Sequence, residues 1–313
     1  MENKKLICPV CENEIDETSK KCAVCGFEIK NKKPKKILNY SDGSVYEGEV
    51  IKSTVQHGYG IMTYSTGHRY EGEWRNGKRD GKGILTYTNG YVYNGNWREG
   101  LREGYAVCTH ADGNRYEGDF RNDQRNGRGV MFYVSGNKYD GTWKDGMRNG
   151  YGVCTYSNGD RYEGNFENDM RCGKGTLLYA NGGSYDGDWA NDRREGSCVY
   201  YFSNGDRYEG EFSNGERNGY GKMHFATGSS HYEGMWLNGK RNGHGVCKYS
   251  NNEYYDGDWQ DGKRHGIGTY SFSDGSRYEG EWLNGERNGK GTMFLSNGTS
   301  YDAEWINGKI SGS

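Results

Sequence analysis

Four of the nine cysteines stand near the amino end in two Cys-x-x-Cys pairs, Cys8-Pro-Val-Cys11 and Cys22-Ala-Val-Cys25, with ten residues between the pairs. Four thiolates so spaced suit tetrahedral Zn2+. All four coordination positions are then filled by protein and none is left for water, so the expected centre is one closed, structural zinc ion. A segment of about 30 residues buries too little to fold alone, so the metal would supply the folding energy. Redox-active Cys-x-x-Cys chemistry is the competing use, but no βαβ pattern accompanies these pairs. The other five cysteines are scattered. Cys108, Cys154 and Cys247 stand where Met62, Leu85, Met131 or Met223 stand elsewhere and read as packing residues; Cys198 occupies a glycine position and Cys172 a turn.

The remaining reactive side chains recur instead of converging. Arginine returns at 79, 102, 125, 148, 171, 194, 217, 241, 264 and 287. Any one of these beside an acid could pass for a catalytic pair, but a catalytic site needs a unique constellation, and a ladder is structural or lines an extended surface. The seven histidines fall at unrelated positions, with His57, His244 and His265 read as turn or solvated-edge residues. Gly-x-Gly steps such as 81–83 lack the following helix that a phosphate loop requires. The expected protein is therefore not an enzyme. Lys30, Lys32, Lys33, Lys35 and Lys36 crowd one short stretch; they read as a solvated tether, with anionic lipid or phosphate as a candidate contact.

These residues hang on a repeat. A segment Tyr-acidic-Gly-x-aromatic recurs with its Tyr at 46, 70, 93, 116, 139, 162, 185, 208, 232, 255, 278 and 301. In the unit beginning at Tyr70, alternation puts Tyr70, Gly72 and Trp74 on one strand face and Glu71 and Glu73 on the other. Asn76-Gly77 is a hairpin turn signal. The run Gly81, Gly83, Leu85, Tyr87 then alternates again on one face, and a second turn leads to the next unit. All eight Trp (74, 97, 143, 189, 236, 259, 282, 305) hold one repeat position, and Phe120, Phe166 and Phe212 fill it elsewhere. Such regularity marks packing: aromatic rings laid over bare glycine backbone.

The pattern Tyr-Glu-Gly-Glu-Trp-x-Asn-Gly-x-x-x-Gly-x-Gly-x-x-x-Tyr resembles the MORN repeat family over residues 46 to 307. The resemblance implies an elongated, twisted groove of stacked hairpins, roughly 110 Å long for twelve units at about 4.8 Å per strand. It also implies a scaffold or oligomer, since similar proteins often serve as one. The amino-terminal spacing resembles small zinc-ribbon domains, with Glu12 where the first knuckle usually has Gly. The expected fold class is thus all-β: an elongated single antiparallel sheet of stacked β-hairpins (a MORN repeat array) preceded by a small four-cysteine zinc ribbon. The expected divisions are 1–29 zinc ribbon, 30–39 Lys-rich linker and 40–313 MORN array of eleven full repeats plus a terminal half repeat.

Composition fits this reading. Fifty-three glycines and 14% aromatics accompany only 32% hydrophobic residues, whereas a disordered chain would be poor in aromatics. The formal charge of −2 by itself favours neither nucleic acid nor an anionic membrane. It divides into +3 over residues 1–39 and −5 over 40–313, and nucleic acid held by the cysteine pairs and the Lys-rich stretch is a third, less expected, partner. The start Met-Glu-Asn-Lys-Lys has no apolar signal core and no 18-residue apolar run exists, so a reducing, cytoplasmic setting is expected. The end units are atypical, with Val50 and Val55 in the first and Ala303 in the last. On this reading the last unit stops short of a second strand. The strand at Tyr301–Trp305 is then expected to be an open edge on which a second copy could pair as a homodimer. Function is expected to be binding of a protein partner or self-assembly, with anionic phospholipid as the alternative ligand.

Overall fold

A computed structural model describes residues 5–7, 13–16, 21–25 and 35–311. Among them every regular element is a β-strand. The chain divides into two compact units, Met1–Asp123 and Gln124–Ser313.

In the first unit, β1 (Lys5–Ile7) and β2 (Glu14–Asp16) form a small antiparallel pair. The array strands follow: β3 (Lys36–Asn39), β4 (Val45–Ile51), β5 (Val55–Thr63), β6 (Arg69–Arg75), β7 (Lys78–Thr86), β8 (Val92–Arg98), β9 (Leu101–Thr109) and β10 (Arg115–Arg121). Each is hydrogen-bonded antiparallel to the next. The second unit continues the pattern from β11 (Gln124–Phe132) to β27 (Lys309–Ile310). Two ends differ from the sequence reading. Lys36–Asn39 lies inside the stretch read as linker, yet it pairs with β4 (Leu38 opposite Tyr46), because Ile37 and Leu38 continue the alternation. At the other end, β27 does form: Trp305 faces Ile310 and Ile306 faces Lys309, so the last unit closes a two-residue hairpin.

One unit shows why these residues take this shape. The turn at Asn76-Gly77 has positive φ at both residues (50° and 84°), the hand that matches twisted strands. The register then passes from Trp74 opposite Arg79 to Gly72 opposite Gly83, so Asp80, Gly81 and Lys82 share one partner, Glu73. This bulge holds Gly81 at φ 107°, a backbone that other residues rarely adopt, and it sharpens the local twist. Facing glycines close the pair. A Cβ on Gly141 would lie 2.6 Å from the Cα of Gly152, and one on Gly152 would lie 2.5 Å from the ring of Tyr139. Bare backbone is what lets each Tyr ring lie across the sheet.

The core is therefore a ladder of rings. Eleven of the repeat tyrosines, from Tyr46 to Tyr278, are fully buried, and Tyr301 in the last unit is exposed. From Tyr70 onward each buried ring meets the aromatic of its own unit edge-on, as Tyr232 does Trp236 at 5.1 Å, and within each compact unit that of the following repeat, as Tyr232 does Trp259 at 5.4 Å. Such contacts contribute about 0.5–1.5 kcal/mol beyond area burial. The phenol hydroxyl donates to the carbonyl three residues on, Tyr232 to Met235 at 2.8 Å. Seven of the eight indole N–H groups donate back to a glycine carbonyl of the preceding unit, as Trp259 does to Gly245 at 2.9 Å. Trp305 alone among the indoles has no partner for its N–H among the described residues; Ala303 stands in its unit where the others carry glycine.

Burial pushes the Tyr46 phenol up to about 12 and moves Tyr70, Tyr162 and Tyr255 upward in the same way. A raised folded-state pKa stabilises the fold below the ordinary phenol value of about 10, and that stability is lost as pH climbs through the folded-state values. Ultraviolet titration should show the exposed tyrosines ionising first and the core tyrosines only as the array unfolds. Ionisation of all tyrosines near pH ~10 in a folded chain would contradict this burial.

Candidate functional site

The aromatic face carries the arginines. Trp74 pairs in register with Arg79, which places the arginine on the ring side of the sheet. Each guanidinium lies over the aromatic of the following unit: Arg79 over Trp97 at 4.0 Å, Arg217 over Trp236 at 4.1 Å, Arg241 over Trp259 at 4.0 Å and Arg287 over Trp305 at 3.9 Å. It also donates to a carbonyl in the following unit's turn, as Arg217 does to Gly239 at 2.7 Å and Arg264 to Gly285 at 2.8 Å. The ladder is thus partly structural, joining neighbouring units through cation–π contact.

The turn's second residue divides the ladder in two. Where the turn reads Asn-Asp, the carboxylate pairs with the arginine of the preceding unit: Arg102 with Asp123 at 3.1 Å, Arg148 with Asp169 at 3.1 Å and Arg171 with Asp192 at 2.9 Å. Where it reads Asn-Gly or Asp-Gly, only the backbone carbonyl is offered. Arg194, Arg217, Arg241, Arg264 and Arg287 all face such turns, and none has an ion-pair partner among the described residues. Electrostatics follow. Burial would lower the Arg148 guanidinium, but the Asp169 hydrogen bond carries it above its ordinary value. Arg217 falls below it, chiefly through burial and further through Arg241, and Arg287 falls likewise through burial and Arg264.

A second row borders the arginines: Tyr133, Tyr156, Tyr179, Phe202, Phe225, Tyr249 and Phe272, each half-buried at the start of the inter-unit turn. Shallow recesses open between the rows. One of about 140 Å3 is lined by Tyr133, Arg148, Cys154 and Tyr156. Another of about 280 Å3 is lined by Arg264, Tyr270, Phe272, Trp282 and Arg287. This rim is the closing aromatic of the repeat pattern, seventeen residues after most repeat tyrosines as Tyr87 is after Tyr70; what spacing alone does not show is that it borders the arginines. The opposite face is a mosaic of short ion pairs, such as Arg69 with Glu71 at 2.7 Å and Lys222 with Glu233 at 3.0 Å.

The other sequence candidates are distributed as follows. Cys8, Cys11, Lys30, Lys32 and Lys33 lie outside the described residues. Cys22 is buried and Cys25 exposed, while Lys35 and Lys36 are exposed. Among the described residues no group of three or more His, Cys, Asp or Glu side chains is disposed to hold a metal. Cys108, Cys154 and Cys247 are buried as packing residues, and burial raises the Cys154 and Cys247 thiols. Cys172 is in a strand opposite Asn165, not in a turn, because the bulge after it keeps it paired. His57, read as an edge residue, sits in β5 with its Nδ1 buried and without a hydrogen-bond partner among the described residues. His244 and His265 also lie in strands, and His244 is exposed beside Asp256 at 3.2 Å.

Strand, turn, bulge and ring ladder together define a repeat array of β-hairpins whose one face is built from aromatics and arginine. The MORN repeat model matches twelve successive segments, from 46–69 and 70–90 through to 278–300 and 301–313, and the chain belongs to that family. No curated protein matches. Among solved structures, the chain is similar to the TCP domain of SAS-4 from Drosophila melanogaster in complex with a proline-rich motif of Ana2, at 18% identity and a TM-score of 0.32, covering 50% of this chain and 85% of that one. It is also similar to the TCP10 domain of Danio rerio CPAP in complex with a peptide of STIL, at 12% identity and a TM-score of 0.33, covering 87% of this chain and 100% of that one. At such scores neither likeness speaks to function.

Proposed function

We propose that this protein is a non-catalytic binding scaffold of a reducing, cytoplasmic compartment, engaging a protein partner through the aromatic face of its MORN array. The observation that carries the reading is the run of half-buried arginines, held in place by rings and turn carbonyls, with which no carboxylate among the described residues forms an ion pair. One set of side chains repeated along a sheet suits an extended partner better than a small substrate. The test is capture by the immobilised full chain from its host, set against two triple variants. Arg217→Gln/Arg241→Gln/Arg264→Gln should lose the captured partner, and Arg161→Gln/Arg207→Gln/Arg277→Gln, on the opposite face, should keep it. Loss by the second set alone, or retention by both, contradicts the reading. Capture only of anionic vesicles would favour the lipid alternative through Lys35, Lys36 and their neighbours, and a second copy as the partner would favour pairing at the edge near Tyr301.

The amino-terminal segment is proposed to hold one structural Zn2+ on Cys8, Cys11, Cys22 and Cys25. Support comes from the donor set and its spacing, and from the burial of Cys22. Elemental analysis should find one zinc per chain and none in Cys8→Ser/Cys11→Ser, with the array's denaturation midpoint unchanged. Metal-free wild-type protein purified under reducing conditions would refute the site.

A further inference from the structure

We infer that the aromatic face between Arg194 and Arg287 is a docking track for an acidic polypeptide segment carrying a carboxylate at every third residue. The inference rests on the scaffold reading and names the partner's chemistry.

Charge complementarity comes first. Five successive arginines face Gly-containing turns, and the three paired with carboxylates lie outside this run, at Arg102, Arg148 and Arg171. The same device, an aspartate at the turn's second position, is present in the chain and absent from this stretch. Burial first, and then a neighbouring arginine, lowers the guanidiniums of Arg217 and Arg287. Three acids along this stretch are engaged elsewhere, Glu253 accepting from the Tyr270 hydroxyl, Asp206 from the Ala226 amide at 2.8 Å and Glu195 from the Asn214 amide at 2.9 Å, while Glu286 lines the recess beside Arg264 and Arg287.

Spacing then selects the ligand. Two strands per unit at about 4.8 Å set the arginines roughly 10 Å apart. A polyproline-II chain rises about 3.1 Å per residue with about three residues per turn, so every third side chain points the same way at about 9.3 Å. Phe202, Phe225, Tyr249 and Phe272 border the track, and aromatic-lined grooves suit that backbone. Nucleic acid fits the spacing less well: its phosphates come about every 3.4 Å along a duplex strand.

The probe is a fluorescein-labelled peptide of five Glu-Pro-Ala triplets, read by anisotropy against the full chain. Binding should weaken with salt and be at least about tenfold tighter than for the same composition with its glutamates contiguous. The variant Gly215→Asp/Gly239→Asp/Gly262→Asp/Gly285→Asp should lose binding at least about tenfold while keeping its circular dichroism and denaturation midpoint. Asp123, Asp169 and Asp192 occupy the equivalent position at φ 66°, 69° and 65°, so the fold admits the change. Equal binding of both peptides, undiminished binding by the folded variant, or tighter binding of an oligothymidine of matching length or of phosphatidylserine vesicles overturns the inference. A chain that captures its native partner but ignores the peptide refutes the track and leaves the scaffold reading standing.

Discussion

Tyr232→Ala is expected to remove about 3–5 kcal/mol of stability, the range for deleting a buried aromatic. The ring is fully buried and stands edge-on to two indoles in successive units, so its loss opens a cavity in both. Tyr232→Phe separates the ring from its hydroxyl. The hydroxyl donates to the Met235 carbonyl at 2.8 Å, at the bulge where that carbonyl has left the regular ladder. Stranding it should cost about 1–3 kcal/mol. Because a repeat array is coupled mainly between neighbours, the Ala variant should also broaden the urea transition. Unfolding followed by tryptophan fluorescence reads both effects, and a Tyr232→Ala midpoint equal to wild type would show that the ring ladder is not the core.

The second large effect is a coupling. Gly152→Ala alone should cost about 1–3 kcal/mol as the Tyr139 ring gives way. The chain already tolerates such a Cβ at two equivalent positions, Ala106 opposite Gly95 and Cys198 opposite Gly187, both buried. Gly141→Ala meets Gly152 Cα at 2.6 Å, so both alanines together have no room across the strand pair. A double-mutant cycle on urea unfolding should therefore return a coupling of at least about 1 kcal/mol beyond the sum of the singles. Strict additivity would mean that the strands part easily there and that glycine serves only backbone freedom.

Much of this is legible in the chain because the repeat averages out local ambiguity. Alternation alone puts Tyr70, Gly72 and Trp74 on one face, and Asn76-Gly77 announces its turn. Other features depend on contacts that sequence spacing hides. The bulge at Gly81 interrupts the register between two strands that each read as regular. The phenol's acceptor is a backbone carbonyl, which carries no signature in side-chain types. The neutralisation of Arg148 by Asp169 spans 21 residues and two strands, so the two read as unrelated until the hairpins are stacked. At the ends, a two-residue strand at Lys309–Ile310 is too short for any periodicity. The zinc pairs belong to a different kind of legibility: their spacing names a metal, and chemical analysis of the protein must supply the rest.

The central claim is that the ring-and-arginine face, and not its opposite, receives the partner. Arginine-specific dicarbonyl labelling read by mass spectrometry, with the captured partner bound and released, addresses it directly. Protection of Arg194, Arg217, Arg241, Arg264 and Arg287 with unchanged labelling of Arg161, Arg207 and Arg277 is the expected outcome; protection confined to the latter three, or none on either face, would contradict it.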